Sequence, residues 1–146
     1  MLRKEVIVDT NALLIPGEFG VDIFYELERL GYEHVIVPKK VLNELNELKQ
    51  RPGLKGKEKR AANIGYSLVL KYVRGRVAEP HRCTVTINEE EVEREGDIDT
   101  DEWIVELALK KKAAVLTNDE PLRRKLSKAG MVTVYLRGKS RLEESG

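Results

Sequence analysis

The chain has 146 residues, with 26 Lys plus Arg against 25 Asp plus Glu and a formal net charge of +1. A single domain is expected over 1–146, with its core at about 5–136 and a short polar tail at 138–146, and a chain of this length buries roughly 70% of its unfolded surface, enough for a core without staples. Cys83 alone excludes an internal disulfide, Cys83 with His34 and His81 makes too small a set of soft ligands for zinc, and no apolar run reaches the roughly 20 residues of a membrane span, so a cytoplasmic protein with no membrane partner is expected.

Taken in chain order, Glu5-Val6-Ile7-Val8-Asp9 is a β-branched run closed by a polar residue and predicts a buried strand. Residues 21–30 place Ile23, Phe24, Leu27 and Leu30 at helical spacing, with Gly31 as the stop. A second strand is expected at 34–37, and Pro38 is expected to open a helix that runs to about Leu48. The basic loop Arg51-Pro52-Gly53-Leu54-Lys55-Gly56 precedes a helix at about 57–73. Residues 76–87 look extended and 88–96 form an acidic excursion. A helix at about 100–111, a strand at 113–117, a helix at about 120–128 and a strand at 132–136 complete the chain. Strands alternating with helices predict an α/β fold with a mostly parallel sheet covered on both faces.

Near-neutral net charge conceals segregation. Residues 49–82 carry ten cations against two anions, net +8, and residues 88–106 carry ten anions against one cation, net −9. The first block suits a polyanion, or the two blocks attract each other within the fold. A Gly/Pro-containing loop lays cations along a phosphate backbone, which singles out Arg51, Lys55, Lys57, Lys59 and Arg60 as RNA contacts. Aromatic stacking platforms are scarce, so base-specific readout has little support.

With two histidines, chemistry falls to carboxylates. In open parallel sheets the functional crevice lies beyond the carboxyl ends of the strands. Asp9 closes the first strand there, unless it serves only a strand-to-loop turn. Asp119 follows a later strand, where Asn118-Asp119-Glu120-Pro121 also reads as a helix N-cap before an early proline. In the helix after Pro38, Glu44 falls about 60° from Val41 on the inward stripe and Glu47 about 120° away. Asp101 likewise lies about 60° from Ile104 and points inward, although a first-turn acid also suits the helix dipole. Asp99 is assigned mainly to initiating that helix through the capping box Asp99-Thr100-Asp101-Glu102. Four gathered carboxylates require a cation or raise one another's pKa, and all-oxygen ligands suit Mg²⁺ or Mn²⁺. Such ions activate water for phosphodiester hydrolysis, so a metal-dependent nuclease leads the functional classes.

The pieces Val6-Ile7-Val8-Asp9-Thr10-Asn11-Ala12-Leu13, Val37-Pro38-Lys39-Lys40-Val41-Leu42-Asn43-Glu44-Leu45, Asp101-Glu102-Trp103-Ile104 and Val115-Leu116-Thr117-Asn118-Asp119-Glu120-Pro121-Leu122, in this order, resemble the PIN-domain ribonucleases. The resemblance implies a three-layer α/β/α sandwich with a central, mostly parallel sheet and an acidic cluster binding one or two divalent ions. It assigns Asp9, Glu44, Asp101 and Asp119 as catalytic metal-site carboxylates, supported by Asn11, Thr117 and Asp99. It also implies an endoribonuclease whose metal-activated water attacks phosphorus and leaves a 5′ phosphate. Two roles follow from the family, a VapC-like toxin held by an antitoxin or an rRNA-processing nuclease with a ribosome-assembly partner, and a homodimer is the expected state in either. The acidic excursion at 88–96 departs from many small members.

Two other classes stay in view. A catalytically silent RNA- or ribosome-binding scaffold would tend to lack one of the four acids, and all four are present. A phosphotransfer domain with Asp9 as nucleophile fits poorly, because Asp9-Thr10-Asn11 lacks a second aspartate two positions on.

Overall fold

Val6, Ile7 and Val8 are all fully buried, without the alternation of a one-sided strand, and they form β1 (Glu5–Val8) at the centre of the molecule. The computed structural model describes residues 4–54, 56–75, 83–89 and 99–145. After β1 come a 3-10 turn (Asn11–Leu14) running into α1 (Ile15–Phe19), then α2 (Ile23–Arg29), β2 (His34–Pro38), α3 (Lys39–Gln50), α4 (Gly56–Val73) and β3 (Thr84–Asn88). They are followed by α5 (Thr100–Lys111), β4 (Ala114–Leu116), α6 (Glu120–Lys128), β5 (Thr133–Arg137) and β6 (Arg141–Ser145).

The sheet order is β3-β2-β1-β4-β5-β6, parallel throughout except for the last pair. The mostly parallel α/β architecture expected from the sequence is therefore present. The chain moves outward from β1 through β2 to β3, then returns to build β4 on the other flank of β1. Right-handed crossovers in these two directions put α1 to α4 on one face and α5 and α6 on the other. The reversal of direction falls between β1 and β4, the place where such sheets open a crevice. The Asp9 N–H donates to Leu116 O at 3.0 Å, so the pairing of β1 with β4 continues up to the acid itself.

The structure adds elements and moves others. The turn and short helix at 11–19 carry the chain away from Asp9, and α1 ends at Gly20, whose φ of +69° is left-handed. Their position is set by close packing on α4: a Cβ at Gly65 would lie 2.0 Å from the Leu13 carbonyl oxygen. Pro38 does not occupy the first position of α3 as expected. It ends β2 with extended backbone, φ −62° and ψ 138°, and the helix begins at Lys39, because Pro38 still stands in register with Asn88 of β3. The extended stretch expected at 76–87 is a strand only from Thr84, and 76–82 lie outside the described residues, as do 90–96 of the acidic excursion.

The polar tail expected at 138–146 is corrected to a strand. After a turn at Gly138, β6 pairs antiparallel with β5, and its Leu142 is completely buried. Both backbone polar groups of Leu142 that face away from β5 are taken by α2: its N–H donates to Glu26 Oε1 at 3.0 Å, and its carbonyl accepts from Arg29 Nη2 at 2.9 Å. Glu26 and Arg29 also pair with each other, at 3.0 and 3.2 Å. No helix among the described residues is long and apolar enough to cross a membrane.

Candidate active site

The site begins with Asp9, 4% exposed at the carboxyl end of β1. A buried carboxylate needs partners, and this one has three: the Thr10 N–H on Oδ1 at 2.8 Å, and Asn11 Nδ2 and the Thr117 hydroxyl on Oδ2, each at 2.8 Å. Thr117 follows β4, fully buried, and its oxygen also accepts from Asn11 Nδ2 at 3.2 Å and from the Asp119 N–H at 3.1 Å. Asn11 closes the ring by accepting the Asn118 N–H on Oδ1 at 2.9 Å, while Asn118 Oδ1 accepts from the Leu136 N–H of β5 at 2.9 Å. The ends of β1, β4 and β5 are thus tied together by side chains of a few polar residues.

Asp119 is the N-cap of α6 and accepts from the Leu122 N–H at 3.1 Å, so the capping reading is correct and coexists with a place beside Asp9. Asp101 sits half-buried in the first turn of α5, and Asp99 caps that helix by accepting the Glu102 N–H at 2.8 Å, as expected. Glu44 is half-buried on α3 while Glu47 is exposed, in agreement with the helical angles. Its carboxylate is gripped by two hydroxyls, Thr10 Oγ1 at 2.9 Å and Thr100 Oγ1 in a short bond. Thr10 and Thr100 were not anticipated, although each adjoins an anticipated acid.

Electrostatics shows that these groups sense one another. Burial pushes the Asp9 carboxyl above the ordinary aspartate range; the Thr117 hydroxyl and Thr10 N–H oppose that rise, and the charges of Asp101 and Asp119 add to it. Asp101 is raised by burial, then by Asp119, Asp99 and Glu44, with Lys125 of α6 working the other way. Asp9 thus lies within reach of the charges of Asp101 and Asp119, and Asp101 within reach of those of Asp119, Asp99 and Glu44. Lys125, exposed in the basic run Arg123-Arg124-Lys125 of α6, is another residue that sequence reasoning does not single out.

The donor set is entirely oxygen, which suits hard cations such as Mg²⁺ or Mn²⁺, and a cation there would offset both the burial that chiefly raises Asp9 and Asp101 and the repulsion that adds to it. Among the described residues, however, no three Asp, Glu, His or Cys side chains converge closely enough to hold one ion. The arrangement fits a cation held partly through water, a habit of Mg²⁺, and does not form a closed cage.

The basic candidates divide. Lys59 and Arg60 line a cavity of about 330 Å³ together with Lys49 and Asn63, where the end of α3 meets the start of α4. Lys49 Nζ lies 4.1 Å from the centre of the Tyr66 ring. Arg51 and Lys57 are exposed beside this cavity in sequence but do not line it, and Lys55 lies outside the described residues. Trp103 is buried in the core under α5.

A family model described as a PIN like domain matches residues 6–139. The chain is 29% identical over 136 residues to Ribonuclease VapC9 of Archaeoglobus fulgidus, across 93% of this chain and 85% of that protein. In fold it is similar to the PIN domain endonuclease Utp24, with a TM-score of 0.65, 19% identity and coverage of 97% of this chain and 90% of that one. It is also similar to a domain of a functionally unknown protein from Methanocaldococcus jannaschii, with a TM-score of 0.59, 22% identity and coverage of 92% of each chain.

Proposed function

Because the chain belongs to the PIN-like domain family, we propose that it is a divalent-cation-dependent endoribonuclease. The observation that carries this reading is a side-chain network at the carboxyl ends of β1 and β4, in which Thr117 bonds both the Asp9 carboxylate and the Asp119 N–H, while Thr10 and Thr100, neighbours of Asp9 and Asp101, bond the Glu44 carboxylate. Asp9, Glu44, Asp101 and Asp119 would hold Mg²⁺ or Mn²⁺, in part through water. When bound, such an ion supplies an activated water and neutralises charge on the departing oxygen of a phosphodiester.

The protein's own groups orient and bind. Thr117 and Asn11 fix the Asp9 carboxylate, and Thr10 and Thr100 fix Glu44, so the acids are in place before substrate arrives. Lys49, Lys59, Arg60 and Asn63 offer cations and an amide to the phosphate backbone, without aromatic platforms for reading bases. RNA rather than DNA is the substrate favoured by the ribonuclease relative, 29% identical over nearly the whole chain.

The test is a titration of Mn²⁺ and Mg²⁺ into wild type and Asp9→Asn with a labelled structured RNA. Cleavage by the wild type that is lost in a folded Asp9→Asn variant supports the nuclease. RNA bound yet intact at saturating cation, with the protein folded, moves the assignment to a silent RNA-binding scaffold.

A further inference from the structure

Helix α6 borders the acidic cluster at its N-cap, Asp119. Along its flank Glu120, Arg123, Arg124 and Ser127 recur at helical spacing and, with Thr133 at the start of β5 and Ser145 at the end of β6, line an open cavity of about 230 Å³. The proposed chemistry uses nothing in this cavity, yet its composition is specific. The Arg123 guanidinium lies on the Tyr135 ring, 3.9 Å from its centre, so its plane is fixed. Its Nε is buried with no hydrogen-bond partner, and among the described residues neither Arg123 nor Arg124 has an ion pair. Thr133, 2% exposed, and Ser145 share a hydroxyl–hydroxyl hydrogen bond of 2.7 Å at the wall of the same cavity.

Buried donors in folded proteins are almost always satisfied by protein, water or ligand. Two guanidiniums, the Ser127 hydroxyl and the one hydroxyl proton that the Thr133–Ser145 bond leaves over make the cavity donor-rich, and planar guanidinium forks match the oxygens of a phosphate. Glu120 offsets one of the two cations, leaving a single net positive charge, which matches the single charge of a phosphodiester better than the double charge of a terminal phosphate.

Resting on the nuclease reading, we propose that this cavity is an anion subsite that binds a phosphodiester of the RNA strand where the strand runs over the flank of α6, beyond the bond held at the acidic cluster. It works by binding alone. Arg124, exposed on the helix, closes on the phosphate, and Arg123, stacked on Tyr135, presents a fixed fork beneath it.

The probe is a fluorescein-labelled 12-nucleotide single-stranded RNA, with binding followed by anisotropy over a range of salt in EDTA, so that affinity is read without cleavage. Arg124→Gln is expected to weaken Kd at least fivefold and to lower the slope of log K against log salt by about 0.7, the loss of one phosphate contact. Arg123→Lys, which keeps the charge but not the fork, is expected to weaken binding as well. Because Arg123 also packs on Tyr135, a misfolded Arg123 variant leaves Arg124→Gln to decide. Unchanged affinity and slope in a folded Arg124→Gln overturns the subsite. Displacement of the RNA by a Glu-rich peptide at lower concentration than by unlabelled RNA overturns it in favour of an acidic protein ligand. If Mn²⁺ gives no cleavage while Arg124→Gln still lowers RNA affinity, the nuclease reading falls and the subsite stands.

Discussion

The Thr117 hydroxyl donates to Asp9 Oδ2 at 2.8 Å across 108 residues of sequence, and the same oxygen accepts the Asp119 N–H at 3.1 Å. A hydroxyl has one proton to give. Spending it on Asp9 leaves the oxygen's lone pairs for Asp119 and Asn11, so one side chain fixes the acid after β1 and the acid capping α6 in a defined relation.

Thr117→Val keeps the shape and removes the bonds. The Asp119 N–H then lacks an acceptor and Asp9 loses a donor, at a cost of about 1–3 kcal/mol, or a Tm lower by roughly 2–4 °C per kcal/mol for a chain of this size. Activity on RNA is expected to fall about 10- to 100-fold, the usual effect of removing a partner that orients a metal-site acid. Thr117→Ser is expected to recover most of it. Matched kcat/KM values and melting curves for the three proteins check this, and a Val variant as active as wild type would reduce Thr117 to packing.

Asp101 carries the opposite kind of strain. Its carboxyl is raised, chiefly by burial and then by Asp119, Asp99 and Glu44. An acid whose pKa is higher in the folded state adds stability below its ordinary pKa and loses it as pH rises through the raised value. At neutral pH without a cation, the ionised Asp101 therefore works against folding. Asp101→Asn is expected to raise stability in EDTA at pH 7 by no more than about 1 kcal/mol, since solvent screens a half-exposed group, while abolishing Mn²⁺-dependent cleavage. Melting curves at pH 4 and pH 7 test the sign, because the advantage of Asn is expected to shrink at the lower pH.

The parts of this fold legible in the sequence are those with a period or a stop. β1 is announced by three consecutive β-branched residues, all of them buried, and helical angle alone turns Glu44 and Asp101 toward the inward stripe of their helices. Hydroxyl contacts between distant segments have no period. Thr10 and Thr100 meet at Glu44 only because β1, α3 and α5 converge there, and neither residue is unusual in its own stretch. β6 was missed for a related reason: one buried Leu142 among polar residues makes no alternation, and the strand is held by an ion pair on α2 that the local sequence does not contain.

Gly65 ties the fold to the site through contact. A methyl group there would meet the Leu13 carbonyl oxygen at 2.0 Å, and backbone atoms cannot swing aside as a side chain would. Gly65→Ala is expected to cost about 1–3 kcal/mol as overpacking, and to move the 3-10 turn that begins at Asn11. Activity is therefore expected to fall further than stability alone explains. Kinetics at a temperature where the variant remains folded makes the comparison; a loss of stability with unchanged kcat/KM would mean that the strain is absorbed by α4 alone.

Glu26 holds the sheet's far edge. The Arg29 guanidinium beside it, with the Leu142 N–H, keeps its carboxyl below the usual glutamate range against the opposing effect of burial. An acid with a lowered folded pKa gives stability that is present above its ordinary value, about 4.3, and is lost as pH falls through the lowered one. Glu26→Ala strands the buried Leu142 N–H and is expected to cost about 1–3 kcal/mol. Glu26→Gln still offers that amide an acceptor, so it is expected to cost less while flattening the acid limb of the stability curve. Hydrogen exchange at Leu142 separates the causes. Fast exchange in Ala but not in Gln shows that the N–H bond pins β6, whereas protection in both would leave the buried Leu142 side chain as the anchor and the edge open to pairing with another strand.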